Sequence, residues 1–319
     1  MMKRNRVIKV VTTNSNVQRV NVQPARQVVD VHSRAVILPK HPAVGYSPIM
    51  PALNHTVKQS DIELSFKRYA AYDAPCIAIT HLYFQDLVEE TVSQLKRIPY
   101  KCKFIFTLTI GSSDTHEIRN HLTTVFPDCV ILSMTNAGKD IGPKMKAIRW
   151  LRDNHPDLRY KYLLFMHDKK HGGTATGHAW RQLLYQTLCS DRMFTSGFEI
   201  LERSNQVKMI SASRWVIYSK THGVMWGGDG GPANQANLRK TCELLNINVP
   251  NEFGFVGGTM FWCDFDHFNK FWTNERLDLA IAKMNTETGN IKEPSFTHAI
   301  ERVFGMMVTS EGRALIMKI

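Results

Sequence analysis

Between residues 76 and 166, short apolar runs alternate four times with stretches of helical periodicity. Cys76–Thr80, Phe104–Ile110, Cys129–Ser133 and Tyr160–Met166 read as strands. Between them, Asp86–Arg97 carries Leu87, Val88, Val92 and Leu95 at helical spacing. Ser113 and Asp114 can cap a second helix running to about Val125, which Pro127 ends, and Pro143–Asn154 reads as a third. Strands that are apolar on both faces and separated by amphipathic helices predict a parallel sheet covered on both sides. The expected fold class is therefore α/β, with a mostly parallel sheet flanked by helices.

The rest of the chain continues less regularly. A helix is expected from Trp180 to Cys189 and a strand from Val207 to Ala212. Residues 223–237 are rich in Gly and Asn and read as a loop, followed by a helix over Asn237–Asn246. Phe253–Cys263 reads as one aromatic strand, with final helices at roughly 265–283 and 294–305. The 319 residues fit one large domain or two small ones, and 43% hydrophobic with 21% charged residues excludes a disordered or collagen-like chain.

The formal net charge of +12 is unevenly placed. Residues 1–60 hold nine Lys or Arg and one acid, Asp30, with prolines at 24, 39, 42, 48 and 51. They read as a basic leader, flexible or loosely docked, ahead of a single near-balanced domain at 61–319. An arm of this kind also suits an anionic surface, so a non-catalytic polyanion-binding protein is the alternative function. Most of the excess charge sits in the leader, which weakens a nucleic-acid reading of the whole chain. Six scattered cysteines show no metal or redox spacing and read as reduced, mostly buried thiols. No run approaches the ~20 apolar residues of a membrane span, and no signal peptide is evident. The expectation is a cytoplasmic protein with at most peripheral membrane contact.

Ligands of open α/β sheets bind beyond the carboxyl ends of the strands, so the segments just after each strand are informative. After the third comes Asn136-Ala137-Gly138-Lys139-Asp140-Ile141-Gly142-Pro143-Lys144. Glycines at a helix start admit a phosphate to backbone N–H groups; the plainer reading is a turn capped by Asp140. After the fourth comes His167-Asp168-Lys169-Lys170-His171, where a carboxylate can hold a divalent cation and the lysines a diphosphate. A zinc site at His167, His171 and His178 is a further alternative, although that spacing matches no standard arrangement, and a metal hydrolase at His167, Asp168 and His171 is another. Gly257 and Gly258 with Trp262 read either as a sugar pocket or as core packing. His298, Glu301 and Arg302 lie within one helical turn and offer a metal ligand, a base and a phosphate clamp. No nucleophile elbow or kinase signature is present.

These segments resemble, in order, the motifs of the rhamnan synthesis protein F family. The resemblance runs from His81-Leu82-Tyr83-Phe84-Gln85-Asp86-Leu87 through Asn136–Pro143, His167–Lys170, Trp180-Arg181 and Gly257–Trp262 to His298–Arg302, covering roughly residues 70–306. It implies a GT-A-type glycosyltransferase of polysaccharide synthesis, with a dTDP- or UDP-sugar donor, such as a rhamnose or other deoxysugar nucleotide, and a glycan acceptor, and without nucleic acid. In such enzymes an Asp-x-Asp motif holds Mn2+ or Mg2+ and the donor diphosphate. Asp168 matches its first Asp and Lys170 replaces its second, which puts metal dependence in doubt; His298 is the other candidate ligand. On this reading Asn136, Gly138, Asp140, Lys144, His167, Asp168, Lys169, Lys170, Gly257, Gly258, Trp262 and Arg302 contact the donor. Glu301 is the candidate catalytic base, with Asp264 and Asp229 as competitors.

Overall fold

A computed structural model describes residues 74–98, 101–170, 175–191, 193–203, 207–212, 216–218, 231–250, 253–309 and 316–318. The basic leader, Asp229 and His171 lie outside the described residues. In chain order the elements are β1 (Cys76–Leu82), α1 (Val88–Leu95), β2 (Cys102–Thr109), α2 (His116–Val125), β3 (Val130–Met134), α3 (Ile141–Asn154) and β4 (Tyr162–His167). There follow α4 (Ala175–Leu188), α5 (Phe198–Arg203), β5 (Met209–Ser211), β6 (Val216–Tyr218) and α6 (Gly231–Leu244). The last are β7 (Gly254–Val256), β8 (Phe261–Asp264), α7 (Phe265–Phe271), α8 (Asn274–Met284), α9 (Phe296–Thr309) and β9 (Ile316–Lys318).

The four expected strands form one parallel block. They belong to a sheet that, among the described residues, has seven strands in the order β3-β2-β1-β4-β8-β5-β9. Every residue of β1 and of β4 is buried, because helices cover both faces. Alternate side chains divide between two cores. Ile77, Ile79, Leu163 and Phe165 pack with Ile148, Phe268 and Phe304, while Ala78, Leu164 and Met166 pack with Val92, Leu184 and Phe194. This is the Rossmann-like arrangement that the apolar runs predict.

The structure departs from the sequence reading in the second half. β8 runs antiparallel to both β4 and β5, so the sheet is mixed. The expected strand over Phe253–Cys263 is two strands: β7 pairs with β6 in a separate two-stranded ribbon, and a turn through Gly257 and Gly258 leads to β8. The break follows from backbone geometry, since Gly258 has φ +91° and Thr259 φ +49°, both outside strand conformation. The segment after β8 is two helices, with Thr273 accepting the Arg276 N–H as the cap of the second. α2 is capped by Thr115 rather than by Ser113 or Asp114. All six cysteines are unpaired, as expected.

Candidate functional site

The carboxyl ends of β1, β3 and β4 converge on an open cleft of about 530 Å³. It is lined by His81 at the end of β1, by Tyr83 and Phe84 just after it, and by Asn136, Lys139 and Asp140 after β3. His167, Asp168, Lys169 and Lys170 line it from β4, and Gly289 and Asn290 from the loop before α9. Three lysines thus face one cavity.

Asp168 sits at the tip of β4, 3% exposed. One carboxylate oxygen, Oδ2, accepts the backbone N–H groups of Tyr83 at 2.7 Å and Phe84 at 2.6 Å. The other, Oδ1, is buried and has no hydrogen-bond partner among the described residues. Burial pushes this carboxyl up to about 7 against the pull of the two N–H groups.

The lysines differ in how they are held. Lys169 Nζ lies 3.8 Å from the centre of the Trp180 ring, and its backbone carbonyl accepts from Arg181. Arg181 in turn is fixed by both carboxylate oxygens of Glu90. The Trp180-Arg181 pair therefore positions Lys169. Lys170 is exposed, reaches Asp86 at 2.6 Å and lies 4.9 Å from the Phe84 ring centre. Lys139 has φ +49° and places its ammonium 3.0 Å from His298 Nε2.

The glycines after β3 do not open a phosphate loop. A Cβ on Gly138 would lie 2.9 Å from Met284 Cβ, and one on Gly142 would overlap the Ala137 carbonyl oxygen. The Gly138 N–H is given to Glu287 O and the Gly142 N–H to Gly138 O. They serve close packing of the loop, and Asn136 and Lys139 face the cleft in their place. Asp140 does not cap its helix by a side-chain bond. Its carboxylate takes Lys144 at 2.9 Å and the Thr259 hydroxyl. Burial works against ionisation there, but contacts with His167, Lys144 and Thr259 outweigh it and hold the carboxyl well below the usual range.

Several candidates lie elsewhere. Lys144 is fully buried beneath the cleft and is not a cleft-lining residue. Trp262 is fully buried; its indole N–H bonds Leu188 O and its ring meets Phe194 and Phe198, so it is core and not a sugar platform. Asp264 pairs in register with Tyr162, at the opposite end of β4 from Asp168. It caps α7 through the His267 N–H and bonds Lys161, and so is removed from the cleft as a base. Arg302 bonds His298 O and Glu293 and lies 5.2 Å from the Phe255 ring centre, which ties α9 to its preceding loop. Gly257 shares the β7–β8 turn. Gly258, in the same turn, gives its N–H to Glu301 at 2.6 Å. A Cβ on Gly258 would meet the Trp180 ring and lie 3.6 Å from Lys169 Nζ. Glu301 is thus beside Lys169, and burial raises its carboxyl above the usual range, against the opposing effects of Arg302, the Gly258 N–H and Lys169.

The two candidate cation ligands, Asp168 and His298, are not joined by a third His, Cys, Asp or Glu among the described residues. Asp168 Oδ1 offers one oxygen, but His298 presents Nε2 to the Lys139 ammonium. For the zinc reading, His167 Nδ1 faces Lys144, and His178 bonds Arg181.

His81, Tyr83, Phe84, Lys139, Gly289 and Asn290 line the cleft but were not among the site residues expected from sequence. The same signal, polar residues at the end of an apolar strand, marks His81 and its neighbours. No helix among the described residues is long and apolar enough to cross a membrane. The sequence matches the family of rhamnan synthesis protein F over residues 36–313, which includes part of the segment read as a leader. No curated protein matches it.

Proposed function

The chain belongs to the rhamnan synthesis protein F family, and on that premise we propose that it is a glycosyltransferase that moves a sugar from a nucleoside-diphosphate donor to a glycan acceptor. The observation that carries this reading is the convergence of Lys139, Lys169 and Lys170 on a single cleft at the carboxyl ends of the parallel strands.

Departure of the nucleoside diphosphate leaves negative charge on its phosphate oxygens. Cations already in place stabilise that charge with little reorganisation. Lys169, held by Trp180 and the Arg181–Glu90 pair, and Lys139, held by His298, would take the diphosphate oxygens. Lys170 would join them by leaving Asp86. In this scheme lysine ammoniums do what a metal ion does in an Asp-x-Asp site, so turnover does not require Mn2+ or Mg2+. Asn136 would contact the nucleotide. Asp168, by binding two consecutive N–H groups, holds the Tyr83-Phe84 wall of the cleft. Glu301 is the proposed base for the acceptor hydroxyl, since a carboxylate with raised affinity for protons is better matched to that transfer. The donor sugar is proposed to be rhamnose or a related deoxysugar.

Calorimetry with UDP and dTDP, in EDTA and in manganese, tests the scheme. It requires binding in EDTA that weakens at least tenfold in Lys139→Met and Lys169→Met; binding only with manganese would refute the lysine scheme.

A further inference from the structure

We propose that Lys144 is a positioning residue that locks His167 as the Nε2–H tautomer, so that the imidazole presents a fixed hydrogen-bond donor to a diphosphate oxygen in the cleft. The phosphate role rests on the function proposed above; the tautomer does not.

Lys144 is 0% exposed, on the first turns of α3. Its Nζ lies 2.9 Å from Asp140 Oδ2, 3.0 Å from His167 Nδ1 and 3.0 Å from the Thr259 carbonyl oxygen. An ammonium has three N–H donors and no acceptor, so these neighbours, with the Thr259 hydroxyl at 3.2 Å as a fourth, use it completely. Burial lowers the proton affinity of this lysine, and the Asp140 carboxylate beside it offsets part of that cost. His167 Nδ1 also lies 3.3 Å from Asp140 Oδ2, but its hydrogen bond is with the ammonium, from which Nδ1 can only accept, and a neutral ring then carries its proton on Nε2. His167 lines the cleft, and among the described residues its Nε2 has no recorded hydrogen-bond partner.

The backbone of His167 is equally fixed, since its carbonyl accepts from Tyr185 OH at 3.1 Å. The charged and titratable groups around the ring are Asp140, Lys144, Lys169 and His81. Together with Thr259, the lock joins α3, the tip of β4 and the turn before β8. It therefore explains why a lysine is buried here: a hydrophobic residue in its place would leave the Thr259 carbonyl without this donor and Asp140 with only the Thr259 hydroxyl and the His167 ring beside it.

The same loop sets the other histidine the other way. Lys139 faces His298 Nε2 at 3.0 Å, so that ring carries its proton on Nδ1, 2.6 Å from Ser295 Oγ. Two histidines with opposite tautomers provide an internal control.

The test is a nitrogen–proton correlation spectrum of protein labelled with 15N-histidine, assigned with His167→Gln and His298→Gln. The expected pattern is a protonated Nε2 and unprotonated Nδ1 for His167, and the reverse for His298. A protonated Nδ1 on His167 in the native protein overturns the proposal without any further variant. Lys144→Met is expected to turn the His167 signal into a mixture of tautomers and to weaken UDP binding about tenfold; an unchanged His167 pattern in the folded variant overturns it. Native protein with the stated tautomer but no binding of UDP or dTDP would overturn the phosphate role and the glycosyltransferase reading together, while leaving the lock itself in place.

Discussion

Asp168 Oδ2 accepts the Phe84 backbone N–H at 2.6 Å, so the tip of β4 clamps the segment that leaves β1. The neighbouring Tyr83 N–H binds the same oxygen, while Oδ1 stays buried and without a partner among the described residues. One carboxylate thus builds a wall of the cleft and carries an unsatisfied oxygen at its edge.

A pH dependence follows from Asp168. Burial raises its carboxyl to about 7, above the ~4 of an unfolded aspartate. Between those values the folded state keeps a proton that the unfolded chain has released, so stability falls as pH rises from about 4 to about 7 and levels off above. The loss is at most about 4 kcal/mol for a three-unit difference. Thermal melts of Asp168→Asn, which can still accept both N–H groups, should lack this component of the slope. Equal slopes in the two proteins would show that Asp168 is not so perturbed.

Glu301→Gln should fold normally, because the amide oxygen can still accept the Gly258 N–H. Transfer should fall roughly 10²–10⁴-fold, the range for loss of a general base, with nucleoside-diphosphate affinity little changed. Steady-state rates beside calorimetric titration separate the two effects. Unaltered transfer would remove Glu301 from the chemistry.

Lys170 and Asp86 form an exposed pair, worth about 0–1 kcal/mol at most. Asp86→Asn should therefore leave the melting temperature nearly unchanged. It should also tighten UDP binding several-fold, since Lys170 no longer has a competing carboxylate. Lys170→Met should weaken binding, and binding indifferent to both changes would show that Lys170 does not reach the diphosphate.

Trp262→Ala should cost about 3–5 kcal/mol, as for a large aromatic removed from a packed core, with the added loss of the bond to Leu188 O. Trp262→Phe should be milder in denaturant melts and should leave donor affinity intact. A selective loss of donor affinity in a stable Trp262→Phe protein would restore the sugar-pocket reading.

The first four strands were legible because β1 and β4 are buried on both faces, which writes an unbroken apolar run into the sequence. The cleft at their carboxyl ends was legible for the same reason, since the run stops at His167 and polar residues follow at once. Asp264 misled because an acidic residue after a strand reads alike at either end of a sheet; only the antiparallel direction of β8 sends it away from the cleft. Trp262 and Gly138 misled because an aromatic or a glycine beside a motif has the same appearance in a core as in a pocket. Their contacts with Phe198 and Met284 decide the matter and come from segments distant in sequence. Lys144 was legible as a charge but not as a buried one, since its partners His167 and Thr259 are brought in from β4 and the turn before β8.

Donor turnover tests the central claim most directly. Purified protein would be incubated with a panel of UDP- and dTDP-sugars and a glycan acceptor, with EDTA or with manganese, and released nucleoside diphosphate would be measured. The account predicts release from one donor in EDTA, abolished in a Lys139→Met, Lys169→Met double variant. No release from any donor, together with no nucleoside-diphosphate binding by calorimetry, would contradict it.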